Sequence, residues 1–328
     1  MNRETARKLM NNLAASGTPF LFIVDFDEIN IQIVPLCECR GESIFFDIEG
    51  FRNYISADLP VLPEVQFETI PVEADVYRRG FEVVQLGLRR GDSFLVNLTF
   101  PTEIQTNLSL QDIFFHSRAR YKLLYKNEFT CFSPEIFVRI EKNGRISSHP
   151  MKGTIDAQIS NATQQILEDP KEKAEHNTIV DLIRNDLSKV ANAVKVDRYR
   201  YIDVLKTNGK SLLQVSSEIS GQLGENWMET LGDTLFGLLP AGSISGAPKT
   251  ATLQIIEKAE ICKRGYYSGV FGLFDGNSLN SAVMIRFVEH DSTGKMWFKS
   301  GGGITVYAEV EAEYKELCDK VYLPIYKD

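Results

Sequence analysis

The chain has 328 residues, 36 basic and 44 acidic, for a formal net charge of −8, and a sequence pI near 5.3. That balance argues against a nucleic-acid-binding or acidic-membrane-binding surface, and an anionic small molecule would need a local basic pocket or a bound cation. No segment approaches the length of a membrane span and residues 1–18 lack the apolar run of a secretory signal, so a cytoplasmic protein with no membrane partner is expected.

The composition, 43% hydrophobic and 24% charged, supplies enough apolar surface for a core. Five scattered cysteines, at 37, 39, 131, 262 and 318, have no zinc-binding spacing and read as small buried residues in a reducing compartment. The length allows two domains, but no linker, repeat or low-complexity tract marks a boundary.

In chain order, residues 3–15 read as a helix, and Phe20–Asp25 with Ile29–Leu36 as a strand pair continued by Glu42–Ile48. Residues 51–68 are proline-punctuated and loop-like. The recurrence of Val76, Phe81, Val84 and Leu86 predicts a helix over 74–90. Phe94–Thr99 is a predicted strand ending in a turn at Pro101. A helix at Leu110–Phe115 and strands near 121–132 and 136–140 follow, and Asn143-Gly144 is a hairpin signal. From Ile155 to Val194 the pattern is helical, broken at Asp169-Pro170, with the proline as a good first helical residue. Strands near 201–206 and 212–219 precede a helix at 228–237. Residues 240–250 form a loop leading into a helix over 250–260. Strands Gly269–Phe274, Ser281–Val288 and Met296–Ser300 precede a last helix, Glu309–Val321.

Four stretches carry candidate chemistry. His149-Pro-Met-Lys-Gly-Thr154 brackets one lysine between breakers, which excludes a helix interior or a central strand. It is either a solvated turn or an amine held against apolar surface, where burial would lower its pKa toward that of a nucleophile. Pro240 to Thr250 offers glycines, hydroxyls and open amides suited to an anion, although its spacing excludes a phosphate loop. Gly301-Gly-Gly303 lets a ligand approach the backbone or is a flexible turn. On the last helix Val310, Tyr314, Leu317 and Val321 form an apolar stripe, and Glu309, Glu313, Glu316 and Lys320 a charged one. Glu172 and Glu175 lie at i and i+3 on another helix. Such stripes are solvated faces or, taken together, an oxygen-rich site for Mg²⁺.

In order, Ser133-Pro-Glu135, Pro150-Met-Lys-Gly-Thr154, Glu172-x-x-Glu175-His176, Ile179-Val-Asp-Leu-Ile-Arg-Asn-Asp186, Gly242-Ser-Ile-Ser-Gly-Ala-Pro-Lys249, Ile285-Arg286, Gly301-Gly-Gly-Ile304 and Glu311-Ala-Glu-Tyr-Lys-Glu316 resemble the motifs of the chorismate-utilising enzymes. The resemblance covers residues 75–325, and residues 1–70 look reduced relative to the family. It implies one α+β synthase unit over 1–328, two facing β-sheets with helices outside in α/β/β/α layers, like anthranilate synthase component I. It implies chorismate as substrate and a Mg²⁺ cofactor, with Glu175 and Glu316 as ligands and Glu172 and Glu313 beside them. Arg286, Lys320, the amides of Gly301, Gly302 and Gly303, and the loop from Ser243 to Gly246 would bind substrate carboxylates, with Thr154 in the lysine motif also at the substrate.

Within the family, the isochorismate and salicylate branch carries a water-activating lysine where Leu95 stands here. Anthranilate synthases carry alanine where Lys152 stands, and the aminodeoxychorismate synthase branch carries lysine. The resemblance therefore implies amination of chorismate to 4-amino-4-deoxychorismate, for p-aminobenzoate and folate synthesis. Lys152 would be the covalent nucleophile and Glu135 the general acid, with ammonia from a separate glutamine amidotransferase. An anthranilate synthase variant and a non-catalytic chorismate-binding protein are the alternatives. The last is prompted by two departures: Gln214 where the family has histidine, able to hydrogen-bond substrate but not to shuttle protons, and Leu273 where relatives have a carboxylate-binding tyrosine. His176 and Asp181 are expected to serve the helix more than chemistry.

Overall fold

The computed structural model describes residues 1–39, 43–55, 62–206 and 211–325. Among these residues two nine-stranded sheets form, with every strand pairing antiparallel. The first runs Met151–Asp156, Ser211–Gln222, Arg145–Ser148, Ile136–Ile140, Leu279–Val283, Val270–Phe274, Phe20–Val24, Ile31–Pro35, with Asn192–Lys206 along the other side of Ser211–Gln222. The second runs Gly246–Ala247, Leu95–Thr106, Met296–Ile304, Phe287–His290, Phe129–Ser133, Tyr121–Tyr125, Ile44–Ile48, Phe51–Arg52, with Phe67–Ile70 also on Leu95–Thr106.

The layers follow from period-2 alternation, which gives each strand two faces. Leu21, Ile23, Ile136 and Phe271 of the first sheet meet Phe46, Leu123, Phe129 and Phe287 of the second in a core between them. On the outer face of the first sheet Phe20, Phe22, Phe274 and Ile219 pack against helical Ala6, Met10, Ile183 and Leu235. The second sheet is covered by helices Ala74–Arg90 and Lys249–Ala259 over Val96, Leu98 and Phe100, and by Leu110–His116 over Ile104, Leu124 and Phe298. Burying a phenylalanine of this kind contributes roughly 1.5–3 kcal/mol. The α+β class with helices outside two facing sheets is thus observed as expected.

Several local expectations change. Ile44–Ile48 joins Tyr121–Tyr125 in the second sheet and not the first strand pair; Glu42 lies outside the described residues. The strand from Leu95 runs through Pro101 to Thr106. Pro101 is tolerated because only Lys299 faces it across the ladder, while Phe67–Ile70 joins the opposite edge from Glu103 onward. Residues 151–156 and 192–206 are strands. Their pairing with Ser211–Gln222 overrides the helical reading at 155–156 and 192–194 and extends the expected strand at 201–206, while Ala162–Glu168 and Pro170–Leu187 are helical as expected. Cys37 and Cys262 are exposed, contrary to the reading of all five cysteines as buried. No described helix is long and apolar enough to cross a membrane.

Candidate active site

The lysine motif is neither a turn nor a regular strand. Met151 pairs with Ser216 and Thr154 with Gln214, so Lys152 and Gly153 together oppose Val215, a β-bulge. Gly153 has φ +82°, and a Cβ there would lie 2.9 Å from Glu172 Oε2, so a side chain is excluded by backbone and by space. The bulge aims Lys152 inward, where its Nζ donates to Glu175 Oε2 at 2.7 Å. Glu175 is presented by Pro170–Leu187, a helix started by Pro170 and by Asp169, whose side chain accepts from the Glu172 amide.

Lys152 opens into a cavity of about 160 Å³ between the edges of the two sheets. Leu95 and Asn97 line one wall beside Gly301–Gly303 of the neighbouring strand; Glu135, Ser243, Arg286 and Lys320 close the others. The cavity thus gathers Lys152, Glu135, Ser243, Arg286, the three glycines and Lys320 from segments nearly 190 residues apart in the chain. Three expected substrate contacts are placed elsewhere. Thr154 is exposed, Gln214 keeps a buried amide oxygen with no hydrogen-bond partner, and Gly246, at φ +121°, packs its backbone against the Leu95 carbonyl.

Charge in the cavity is arranged in pairs. Lys320 Nζ meets Glu316 Oε1 at 2.6 Å and donates to the Gly301 carbonyl at 2.8 Å. Arg286 donates to the Lys320 carbonyl at 2.8 Å and lies 4.9 Å from the Tyr322 ring. Burial acts to lower Lys152, but Glu175, Glu316 and Glu172 outweigh it and hold the amine above its ordinary pKa. The lowering that burial alone would produce is therefore outweighed by the neighbouring carboxylates. Lys320 moves the other way: burial, with Lys152 and Arg286 nearby, outweighs Glu316 and lowers it.

Glu135 is raised by burial despite the opposing effects of Ser243, Lys152 and Lys320, which favours the protonated carboxyl that a general acid requires. Ser243 Oγ donates to Glu135 Oε1. Glu172 is raised by burial against the opposing effect of Lys152, with Glu175, Asp169 and Glu316 adding to the rise. Its Oε2 is buried without a hydrogen-bond partner. Across from it, Glu313 Oε2 and Glu316 Oε1 lie 3.5 and 3.7 Å from where a Gly302 Cβ would stand. Glu175 thus reaches the cavity through Lys152, and Glu313 and Glu316 stand beside its Gly302 wall. Among the described residues, no three His, Cys, Asp or Glu side chains are close enough to form a metal cluster.

Other residues were not legible in the motifs. Asn97 and Tyr267 line the cavity; Tyr267 is buried and its phenol is pushed up to about 12, mainly by that burial. A polar residue inside the apolar run Phe94–Phe100 was the available signal for Asn97. Leu273 pairs with Leu21 in the core between the sheets and does not line the cavity. Leu95 does line it and offers no proton chemistry. His176 Nε2 bonds Ser217 Oγ at 2.7 Å, a hydroxyl that also accepts the Arg200 amide, and Asp181 pairs with Arg184 on the exposed helix face. His176 thus ties its helix to the Ser211–Gln222 strand, and Asp181 makes a one-turn pair within the helix.

The chain is 51% identical over 315 residues, 96% of this chain and 95% of the relative, to a protein of Haemophilus influenzae described as an uncharacterized PabA-like protein. It is 32% identical to a 2-amino-4-deoxychorismate synthase of Streptomyces globisporus, over 70% of this chain and 48% of that one. The solved anthranilate synthase component I of Streptococcus pneumoniae superposes with a TM-score of 0.66 at 25% identity, covering 80% of this chain and 60% of that one. A family model described as chorismate binding enzyme matches residues 50–325, a span that contains every residue of the cavity, and the chain belongs to that family.

Proposed function

We propose that the protein is aminodeoxychorismate synthase component I, converting chorismate and ammonia to 4-amino-4-deoxychorismate and water, a step toward p-aminobenzoate and folate. The observation that carries this reading is the lysine: Lys152 enters the cavity on a bulge, with the Glu135 carboxyl, raised by burial, and its Ser243 partner on the same cavity. Neutral Lys152 adds to C2 of the ring as the ring double bond shifts and the C4 hydroxyl leaves, taking the Glu135 proton to depart as water. Ammonia then attacks C4, the double bond shifts back, and the C2–N bond to Lys152 breaks. The Glu135 carboxylate takes the proton that the new ammonium gives up. Two allylic displacements return the double bond to its place and put nitrogen at C4.

Arg286, Lys320 and the Gly301–Gly303 backbone are proposed to hold the substrate carboxylates by charge-assisted hydrogen bonds. This local cluster is how a chain of net charge −8 would take an anion. Glu175 and Glu316, with Glu172 and Glu313 beside them, are proposed to offer carboxylate oxygens to a hard divalent cation such as Mg²⁺, one or two at a time with water completing the shell, since no three of them stand close enough to hold it together. All four donors are carboxylates, and Glu172 Oε2 is a buried acceptor with no partner. Bound there, the ion would neutralise carboxylate charge and polarise a substrate oxygen. Ammonia is proposed to come from a separate glutamine amidotransferase in the cytoplasm.

A second reading, anthranilate synthase component I, is supported by the likeness to the Streptococcus pneumoniae structure. In that reaction ammonia itself attacks C2 and Lys152 forms no bond. Incubation with chorismate, Mg²⁺ and ammonium, followed by the downstream lyase, decides between them. The proposal expects p-aminobenzoate; anthranilate as the product overturns it, and binding without turnover would indicate a non-catalytic chorismate-binding protein.

A further inference from the structure

Behind the cavity, and touching none of its space, lies a buried ion pair. Arg264 is 3% exposed, and its guanidinium spends its donors on three segments. Nη1 donates to the Ile244 carbonyl at 2.7 Å, Nη2 to the Asn97 carbonyl at 2.6 Å, and Nε to Glu260 Oε2 at 3.0 Å. Glu260 Oε1, 2.6 Å from Arg264 Nη2, also accepts the Thr99 amide at 3.0 Å and the Thr99 hydroxyl at 2.9 Å. The Phe26 ring lies 4.4 Å from the guanidinium.

Each anchored group belongs to a cavity wall or adjoins one. Ile244 and Asn97 line the cavity, and Thr99 pairs with Gly301, which lines it. We propose that Arg264 and Glu260 form a positioning pair that sets the gap between the Ser243 loop and the Leu95–Thr106 strand, and thereby holds Ser243 on Glu135. The inference rests on Glu135 acting as the acid, as above. Two physical points support it. The short helix Gly242–Ser245 has no ladder contact with that strand; only Gly246–Ala247 pairs, with Val96 and Leu95. At Ile244 itself the link across to the strand is the Arg264 guanidinium. A planar guanidinium bridges two carbonyls and a carboxylate at fixed separation, which a single ammonium cannot do. A buried ion pair is also a weak source of stability, because desolvation offsets its attraction.

The test compares Arg264→Lys and Thr99→Val with the unaltered enzyme. Chorismate consumption is followed under saturating Mg²⁺ and ammonium, and chorismate affinity is measured by equilibrium binding. The expected result for Arg264→Lys is a kcat at least about tenfold lower with chorismate Kd changed less than about threefold. The acid limb of its kcat profile, which belongs to the lower of the two pKa values and so to Glu135 and not to the more basic Lys152, should also move to higher pH. Ser243 holds Glu135 down against burial, while Lys152 and Lys320, the charged groups that also bear on Glu135, stay in place. Thr99→Val, which deletes only the hydroxyl bond to Glu260, should lower kcat in the same direction by a smaller factor. It supplies the reading if Arg264→Lys does not fold. Unaltered kcat and pH limb in the folded variants, or a loss shared equally by binding and turnover, overturns the proposal. Because consumption of chorismate is read and not product identity, a different amination product would sink the proposed function and leave this comparison decisive.

Discussion

Lys152 Nζ lies 2.7 Å from Glu175 Oε2, so the proposed nucleophile is held as a cation by a proposed metal ligand. The amine must lose its proton before it can attack C2. Glu175, Glu316 and Glu172 together keep it above its ordinary pKa, so the neutral fraction grows with pH. Glu135, raised by burial, must stay protonated, so the acid fraction falls with pH. The product of the two is bell-shaped. The ammonia-dependent kcat/KM should rise on the acid side and fall on the alkaline side. Lys152→Ala should lower turnover by about a thousandfold or more while chorismate still binds. A mass increase on Lys152 in the unaltered enzyme, trapped after chorismate is added without ammonia, checks the adduct; a Lys152→Ala enzyme with unchanged turnover rules it out.

Ser243 donates to Glu135, and that hydrogen bond is the largest influence opposing the burial that raises the carboxyl. Ser243→Ala removes it. The acid limb, set by Glu135 because Lys152 is the more basic of the two, should shift to higher pH, and kcat should fall only several-fold, since the acid itself remains. Glu135→Gln should remove the Glu135 break from that limb and cost roughly 10²–10⁴-fold in rate. The pH profiles of the two variants, measured side by side, check the assignment; a limb that stays in place in Glu135→Gln assigns the acid elsewhere.

The legibility of this site in the sequence was uneven for physical reasons. The residues that face the cavity with fixed chemistry, Lys152, Glu135, Arg286 and the Gly301–Gly303 run, sit in short motifs whose residue types have few substitutes. Gln214 and Thr154 also sit in motifs, but pairing register decides which face a strand residue takes, and a one-residue slip reverses it. The bulge at Lys152–Gly153 is such a local shift. Of the 192–206 strand only 201–206 is legible as one, because bulges at 192–195, 196–198 and 198–201 break the alternation that announces a strand. Arg264 and Glu260 were not visible because their partners are backbone carbonyls and amides, which leave no mark on composition.

Glu172 offers a buried oxygen without a partner at the cavity edge beside Gly153. If the four glutamates bind Mg²⁺, Glu172→Gln should weaken the metal requirement curve about tenfold while leaving the melting temperature of the metal-free protein within a few degrees. Titrating Mg²⁺ into the chelator-treated protein by calorimetry measures this without turnover. Equal affinity in variant and parent removes Glu172 from the metal set.

Gly153 is the position where backbone and space both forbid a side chain. Gly153→Ala would place a Cβ 2.9 Å from Glu172 Oε2 at φ +82°, so the helix carrying Glu172 or the bulge must shift. A loss of about 1–3 kcal/mol is expected, with turnover falling further than stability because Lys152 rides on the same bulge. Denaturant midpoints and single-turnover rates measured on the same samples separate the two effects. A variant with normal turnover and only reduced stability would show that the bulge does not set the lysine.

His176 is buried against Ser217, and burial, with Arg200 and Lys152 adding, pushes its imidazole down to about 4. The unfolded chain takes up the proton near pH 6.5 and the folded chain does not until pH 4, so between these values the unfolded state binds more protons. Stability from this group is therefore fully present above pH 6.5 and is lost as pH falls toward 4. The upper bound is about 3 kcal/mol for a shift of this size. Other carboxylates titrate in the same window, so the measurement is a difference. His176→Gln should be less stable than the parent at pH 7.5, through the altered contact with Ser217, and the gap should shrink as the pH is lowered to 5. Urea unfolding of both proteins at the two pH values checks the sign, and a gap that is constant or widens on acidification would mean that His176 is already charged in the fold.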